Sequence, residues 1–142
     1  MYLDTNALIY AFEGDPATQP PSVAALMGAV SRNDVAAYAS LLVRAEVLVL
    51  SLKTGNQPQI VFYRRLLDES GPIRMAALTP AVADAAAALR AEHPSLKLVD
   101  ALHLAAAIAA GCQSFISGDV RLRTAAKNRI ALLSYDELVV QP

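Results

Sequence analysis

The sequence has only one cysteine, Cys112, so it lacks the pair of thiols that an internal disulfide or a cysteine-based zinc site requires. Positive charge is not in excess either: the formal net charge is −1, which excludes a global positive field that would attract nucleic acid. Membrane-spanning runs are also missing, because acidic residues interrupt the N-terminal segment and His103 lies inside the longest apolar helical stretch, residues 101–110. We therefore expect a cytoplasmic protein with a free thiol and no membrane segment.

The chain of 142 residues is long enough for one domain with a sizeable core, and no internal repeat or linker divides it. We expect a single domain over residues 1–142. Hydrophobic residues make up 55% of the chain and charged residues only 18%, which is more apolar than the usual globular balance. This composition predicts a sheet covered on both faces and an additional apolar surface for a partner or a second copy.

Turn residues divide the chain into short apolar strands that alternate with longer helices, a pattern typical of a parallel sheet wrapped by helices. Ser22, Ser40, Thr79 and Ser95 precede or open helical stretches and are candidate N-terminal caps. The predicted strands are residues 2–4, 35–39, 73–78, 115–117 and 131–134, and the predicted helices are residues 6–12, 22–32, 41–52, 57–70, 80–92 and 96–110. The predicted fold class is therefore α/β with a five-stranded parallel sheet.

Four acidic residues, Asp4, Glu46, Asp100 and Asp119, lie in apolar stretches where an unpaired carboxylate costs several kcal/mol. No run of arginine or lysine lies close enough in sequence to pair with all of them. Asp4 and Asp119 directly follow strands, so they fall at the carboxyl edge of the sheet, where such folds bind ligands. Glu46 and Asp100 lie on early helical turns that can reach the same edge. We expect these acids to form one site.

Each acid also has an ordinary structural explanation. Asp4 could simply cap the first helix, Asp100 could cap a helix that starts at Ala101, and Asp119 could be a turn residue after Ser-Gly. Glu46 is the hardest to explain in this way. It lies beyond the first turn of its helix, and its nearest basic neighbour, Arg44, is two residues away and therefore on another face.

Oxygen ligands without cysteine or a histidine pair suit a hard divalent ion, Mg²⁺ or Mn²⁺, and disfavour a zinc or redox centre. Such ions neutralise phosphate oxygens and lower the pKa of water, which favours metal-assisted phosphodiester hydrolysis. Any contact with a polyanion must then be local. The candidates for it are Arg121, Arg123, Lys127 and Arg129, with Arg64 and Arg65 as a second pair, and a solvated surface is the alternative for all of them.

Four segments carry a family resemblance: residues 1–10 (MYLDTNALIY), 40–48 (SLLVRAEVL), 99–107 (VDALHLAAA) and 115–119 (FISGD). In order and spacing they resemble the PIN-domain ribonucleases, specifically the VapC-type toxins of bacterial toxin–antitoxin pairs. The resemblance covers essentially the whole chain. It implies a three-layer α/β/α fold and a metal-dependent endoribonuclease that leaves 5′-phosphate and 3′-hydroxyl ends.

Position by position, the resemblance implies that Asp4, Glu46, Asp100 and Asp119 are the catalytic acids and hold one or two Mg²⁺ or Mn²⁺ ions. Because water would be the nucleophile, no serine, cysteine or histidine nucleophile is required. Unpaired or looped RNA is the expected substrate, since its backbone can bend into a recessed site.

The same resemblance implies supporting roles for residues around the acids. Asn6 and Ser117 would hydrogen-bond near the carboxylates and orient them. Gly118 departs from the asparagine that the family often has before its last acid, so no polar contact is expected from this position. His103 lies one turn from Asp100 on the same helix face, and it is either a buried hydrogen-bonded histidine or a proton shuttle. Arg121, Arg123 and Lys127 are the candidates for contacts with the RNA backbone.

The resemblance also implies partners. A cognate antitoxin would cover an apolar groove with a helix and place a basic side chain in the acidic site, and the toxin would form a homodimer. Phe62, Leu66, Phe12 and Leu26 could line that groove, with ordinary core packing as the alternative for all four.

Other functions remain open at the level of sequence. A housekeeping PIN nuclease or a non-catalytic RNA- or protein-binding module would have the same fold. A phosphatase of the haloacid-dehalogenase type also begins with a strand that ends in an aspartate, but it needs a second acid two positions later, where this chain has Asn6.

Overall fold

A computed structural model describes residues 1–15 and 17–138 of the chain. Strands and helices alternate along it, as the turn pattern predicts. The strands are β1 (Tyr2–Leu3), β2 (Tyr38–Ser40), β3 (Arg74–Ala76), β4 (Ser114–Ile116) and β5 (Ala131–Leu133). The helices are α1 (Thr5–Glu13), α2 (Pro21–Ser31), α3 (Leu41–Thr54), α4 (Gln57–Leu66), α5 (Pro80–Glu92), α6 (Leu98–Ala109) and the short α7 (Arg123–Ala126).

The five strands form one parallel sheet in the order β3-β2-β1-β4-β5, which confirms the predicted fold class. From β1 the chain first moves outward through β2 to β3, then returns to the other side of β1 as β4 and moves outward again to β5. Since parallel crossovers are right-handed, this reversal places helices on both faces of the sheet. It also creates a switch point between β1 and β4, at the carboxyl ends of the strands, where such sheets bind ligands.

The core is apolar around the central strands. Tyr2 of β1 and Phe115 of β4 are fully buried, and their rings stack with centroids 5.1 Å apart. α6 contributes a nearly continuous apolar face, which includes Ala101 and Leu104. Burial of this kind on both faces of a sheet is the arrangement that the apolar composition predicts.

Several helix ends lie where their sequence signals predict. Thr79 caps α5 by accepting a hydrogen bond from the Val82 amide, 3.3 Å away. Gly55 and Gly111 adopt left-handed backbone conformations just after α3 and α6, with φ of 66° and 71°, a geometry that glycine adopts without a steric penalty.

Of the three predicted serine caps, Ser22 and Ser95 are wrong, and Ser40 is right in position but not in its hydrogen bond. Ser22 lies inside the first turn of α2, because Pro21 already supplies a preorganised start. Ser40 does occupy the position before α3, but its hydroxyl accepts a hydrogen bond from Tyr2 rather than from a helix amide. α6 begins three residues after Ser95, with Lys97 at its N-terminal cap position.

α4 ends at Leu66, earlier than the predicted end at Ser70. Arg44 of α3 donates hydrogen bonds from one guanidinium nitrogen to the carbonyls of Arg64 and Leu67, and so satisfies the carbonyl groups at this helix end. β1, β2, β3 and β5 are also shorter than predicted, and β4 lies one residue earlier than predicted.

Within residues 1–15 and 17–138, none of the helices combines the length and the apolar character needed to cross a membrane. Cys112 is half-buried and unpaired there, and burial raises the pKa of its thiol.

Candidate active site

A small cavity of about 110 Å³ opens at the switch point of the sheet and brings three of the four predicted acids together. Asp4 reaches it directly from the end of β1, Glu46 from α3 and Asp100 from the first turn of α6. Thr5 and His103 also line its wall. The reversal of strand order is what gathers side chains that are far apart in sequence.

Asp4 is only 8% exposed, and one of its oxygens, Oδ1, accepts a hydrogen bond from the Ala7 amide at 2.6 Å. This side chain therefore caps α1 and lines the acidic cavity at the same time. Burial raises the pKa of Asp4 because the charged form loses solvation, while Ser117 and the Ala7 amide oppose that shift. A buried carboxylate with a raised pKa attracts a proton or a cation.

Glu46 is held in place by two neighbours although its side chain is 41% exposed. The Thr5 hydroxyl donates to its Oε2, and Nε2 of His103 lies 3.0 Å from the same oxygen. Because a carboxylate oxygen only accepts, Nε2 carries the hydrogen in this contact.

His103 is buried, and its other ring nitrogen, Nδ1, lies 2.8 Å from the Tyr2 hydroxyl. The same hydroxyl lies 2.8 Å from Oγ of Ser40. Burial raises the pKa of Tyr2, so the phenol stays protonated. A continuous chain of hydrogen bonds thus joins Ser40, Tyr2, His103 and Glu46, and the structure agrees with the interpretation of His103 as a buried, hydrogen-bonded side chain.

Asp100 and Asp119 share a second cavity of about 380 Å³ beside the first. Asp100 lines both cavities, whereas Asp119 lines only the second. Burial and the neighbouring charge of Asp119 raise the pKa of Asp100. Asp119 is instead paired with Arg121, whose hydrogen bonds hold the pKa of that carboxyl below its ordinary value.

The residues with predicted supporting roles lie close to the acids. Asn6 lines the acidic cavity on an exposed turn of α1. Ser117 is buried, and its hydroxyl accepts a hydrogen bond from the Asp119 amide at 3.0 Å. At Gly118, an added Cβ would lie 3.2 Å from the ring of Tyr135, so this aromatic ring fills the space that a longer side chain would need.

The basic residues proposed for RNA contacts fall in different places. Arg121 lines the second cavity and contacts Asp119. Arg123 lies 3.7 Å from Glu137, and Lys127 is exposed. Neither Arg123 nor Lys127 lines either of the two cavities.

The chemistry of the acidic cavity fits a hard divalent cation, because its donors are carboxylate oxygens. A bound cation would also offset the cost of burying the negative charges of Asp4 and Asp100. Among residues 1–15 and 17–138, however, no three histidine, cysteine, aspartate or glutamate side chains lie together closely enough to hold one ion. Asp4, Glu46 and Asp119 each accept hydrogen bonds from other protein groups.

Three further residues of the site were missed by sequence reasoning. Tyr2 is a polar residue within a buried strand, two positions before a site acid, and Thr5 directly follows that acid. Lys97 lines the second cavity and directly precedes the helix that carries Asp100. Proximity in sequence to the acids was the available signal in each case.

Comparison with known proteins gives consistent results at the level of fold. No match was found among curated proteins. VapBC2 from Rickettsia felis bound to a promoter DNA fragment is similar with a TM-score of 0.66 and 18% identity, over 94% of this chain and 96% of that one. A toxin–antitoxin complex from Klebsiella pneumoniae has a TM-score of 0.63 and 23% identity, over 94% of this chain and 96% of that one. FitAcB from Neisseria gonorrhoeae has a TM-score of 0.64 and 22% identity, over 96% of this chain and 99% of that one. At these identities the likeness establishes the shared fold.

The family assignment comes from a separate comparison. The model of the PIN domain family, described as "PIN domain", matches residues 1–137, which is nearly the whole chain. Together with the five-stranded parallel sheet and the acids at its switch point, this match identifies the family: the chain belongs to the PIN domains.

Proposed function

We propose that this protein is a divalent-cation-dependent endoribonuclease that acts as the toxin of a toxin–antitoxin pair. The observation that carries the nuclease part is the convergence of Asp4, Glu46 and Asp100 on one cavity at the switch point. The toxin part is supported by the fold, which resembles proteins described as toxin–antitoxin complexes. A cytoplasmic location belongs to the same proposal.

Asp4, Glu46 and Asp100, with Asp119 beside them, are the residues that would hold Mg²⁺ or Mn²⁺. When bound, such an ion lowers the pKa of water and neutralises charge on phosphate oxygens. The protein groups do the positioning. His103 and Thr5 fix the carboxylate of Glu46, and the α1 amide of Ala7 fixes that of Asp4. Burial keeps Asp4 in an environment that favours a cation.

The antitoxin is the partner that this proposal implies. A surface groove of about 410 Å³ beside α4 includes Phe62 and Leu66, and Phe62 is 40% exposed. Phe12 packs edge-to-face on Phe62, with ring centroids 5.0 Å apart, whereas Leu26 is buried in the core. An apolar helix of the antitoxin would lie along Phe62 and Leu66. Homodimer formation is also part of the proposal and is supported by exposed apolar residues such as Leu50.

The experiment that tests the nuclease proposal compares Asp100→Asn with the unmodified protein on a structured RNA in Mg²⁺ or Mn²⁺. We expect cleavage to fall at least about 100-fold, since removing one charged group of a catalytic centre typically has an effect of this size. Asp84→Asn is the matched control, because Asp84 is an exposed aspartate on α5 that lines neither cavity.

Mapping of the product ends adds a second readout. We expect 5′-phosphate and 3′-hydroxyl ends, and cleavage should stop when the cation is chelated. Equal cleavage by Asp100→Asn and the unmodified protein would reject the mechanism. RNA binding without any turnover would favour the non-catalytic alternative, and activity without a co-encoded antitoxin would favour a housekeeping nuclease.

A further inference from the structure

The second cavity has the composition of a phosphate-binding site. Its lining includes two cations, Lys97 and Arg121, and two hydroxyls, Ser95 and Thr124. Asp100 forms part of the wall of both cavities, so the second cavity directly adjoins the acidic one. A strand of RNA with one phosphodiester at the acids would therefore bring a neighbouring phosphodiester to these four residues.

The cations in this cavity lie beside the acids. Lys97 and Arg121 line the same cavity as Asp100 and Asp119, so two positive and two negative side chains share its wall. Lys97 makes no ion pair within 4 Å in the part of the chain that the structure describes. An incoming phosphate could therefore pair with Lys97 without first breaking an ion pair.

Arg121 binds both oxygens of Asp119 through one edge of its guanidinium group, the edge that carries Nε and Nη2. Nε lies 2.8 Å from Oδ1 and Nη2 lies 2.6 Å from Oδ2. This two-pronged geometry fits a phosphate as well as it fits a carboxylate. The arginine side chain is 75% exposed, so a phosphate that enters from solvent can reach the guanidinium group while it is paired with Asp119.

The pairing has a consequence for the acids, because an arginine bonded to both oxygens of a carboxylate offsets its negative charge and weakens its attraction for a cation. We propose that the second cavity binds the RNA phosphodiester next to the scissile one, and that this phosphate takes Arg121 from Asp119. Lys97 contributes the second positive charge. RNA binding thereby frees Asp119 to join the other acids. This inference rests on the proposed function and specifies how the substrate completes that site.

Binding in the absence of any cation tests the phosphate site. A fluorescent single-stranded RNA is titrated with protein in EDTA, and anisotropy is followed over a range of salt concentrations. We expect Lys97→Gln to bind roughly fivefold more weakly, with the log–log salt slope reduced by about 0.7, the value for one phosphate contact on a single strand.

Lys53→Gln is the matched control, because it removes the same charge from an exposed residue of α3 that lines neither cavity. We expect the affinity of this variant to stay close to that of the unmodified protein. Equal affinity and slope for Lys97→Gln and the unmodified protein would overturn the proposal, as would the absence of RNA binding by the unmodified protein.

Binding of Mn²⁺ tests the exchange of Arg121. By calorimetry without nucleic acid, Arg121→Gln should bind Mn²⁺ about fivefold more tightly than the unmodified protein, because Asp119 is released. A single-stranded DNA oligonucleotide, checked to be intact afterwards, presents the same phosphodiesters. It should raise the Mn²⁺ affinity of the unmodified protein by a similar factor and leave that of Arg121→Gln unchanged.

Arg32→Gln controls for the loss of an exposed arginine that pairs with an aspartate two residues away, since Arg32 pairs with Asp34 and lines neither cavity. It should behave as the unmodified protein does. Unchanged Mn²⁺ affinity in Arg121→Gln, or equal oligonucleotide effects in both proteins, would overturn the exchange. If these tests fail while RNA is still cleaved and Asp100→Asn is inactive, the nuclease proposal stands and only this inference falls.

Discussion

Nε2 of His103 lies 3.0 Å from Oε2 of Glu46, and this contact connects the acidic cavity to a buried polar chain. On the far side of the imidazole, Nδ1 meets the hydroxyl of Tyr2 at 2.8 Å. Glu46 is therefore oriented by His103 of α6, and His103 is in turn oriented by Tyr2 of β1. Hydrogen-bond partners that lie behind a functional side chain in this way fix its orientation.

Removal of the Tyr2 hydroxyl should weaken this arrangement. We expect Tyr2→Phe to lower the free energy of unfolding by about 1–3 kcal/mol, because it leaves buried polar groups of Ser40 and His103 without their partner. Urea denaturation measures the change. Tyr38→Phe is the control, since the Tyr38 hydroxyl accepts a long hydrogen bond of 3.4 Å from the exposed Arg74, and the effect of its loss should stay within about 0.5 kcal/mol. Equal effects of the two substitutions would contradict a structural role for the chain.

Asp4 should make stability depend on pH. Its pKa is raised in the folded protein, so the protonated form is favoured there, and its contribution to stability is present at low pH and is lost as pH rises through the folded pKa. In EDTA we expect Asp4→Asn to be more stable than the unmodified protein at pH 7 by roughly 1 kcal/mol, while the amide oxygen still caps α1. The difference should shrink on acidification to pH 4. A difference that does not change with pH would argue against burial as the cause.

Gly118 should tolerate a side chain only when Tyr135 is shortened. We expect Gly118→Ala to destabilise the protein by about 1 kcal/mol, because the new methyl group presses on the Tyr135 ring, which also stacks on Tyr10 at 4.5 Å. In a Tyr135→Ala background the same change should stabilise the protein by about 0.4–1 kcal/mol, because alanine has less conformational entropy than glycine in the unfolded chain. Thermal unfolding of the four proteins completes the cycle, and additive effects would mean that the two positions do not interact.

Cation binding should stabilise the folded state. At a Mn²⁺ concentration of about 100 times the dissociation constant, we expect a gain of about 2.7 kcal/mol for the unmodified protein. Asp100→Asn should lose most of this gain, and Asp84→Asn should keep it. Differential scanning fluorimetry with and without EDTA gives the comparison. A gain that survives in Asp100→Asn would place the cation elsewhere.

The fold could be predicted from the sequence because its signals are local. Glycine after α3 and α6 and threonine before α5 act on their immediate neighbours. Their positions in the chain were therefore enough to place these helix ends. The serine caps could not be predicted in the same way, because several residues competed for each role. Ser40, for example, is bonded by a tyrosine from the adjacent strand, and only the folded sheet brings that hydroxyl close.

The candidate site was predictable as a set of residues but not as a set of contacts. Asp4 and Asp100 stood out as acids in apolar sequence, and they line the same cavity. The pairing of Asp119 with Arg121 was not predicted, since either RNA or a carboxylate can satisfy an arginine and the sequence does not rank them. The orientation of Glu46 by His103 depends on how α3 and α6 pack, which their separate patterns do not specify.

The position of β1 in the middle of the sheet has a consequence for synthesis. Tyr2 pairs with Tyr38 on one side and with Phe115 on the other, so one edge of β1 has no partner strand until residues 114–116 have been synthesised. The switch point between β1 and β4 can therefore form only after β4 has been made, although Asp4 is among the first residues of this chain to be synthesised.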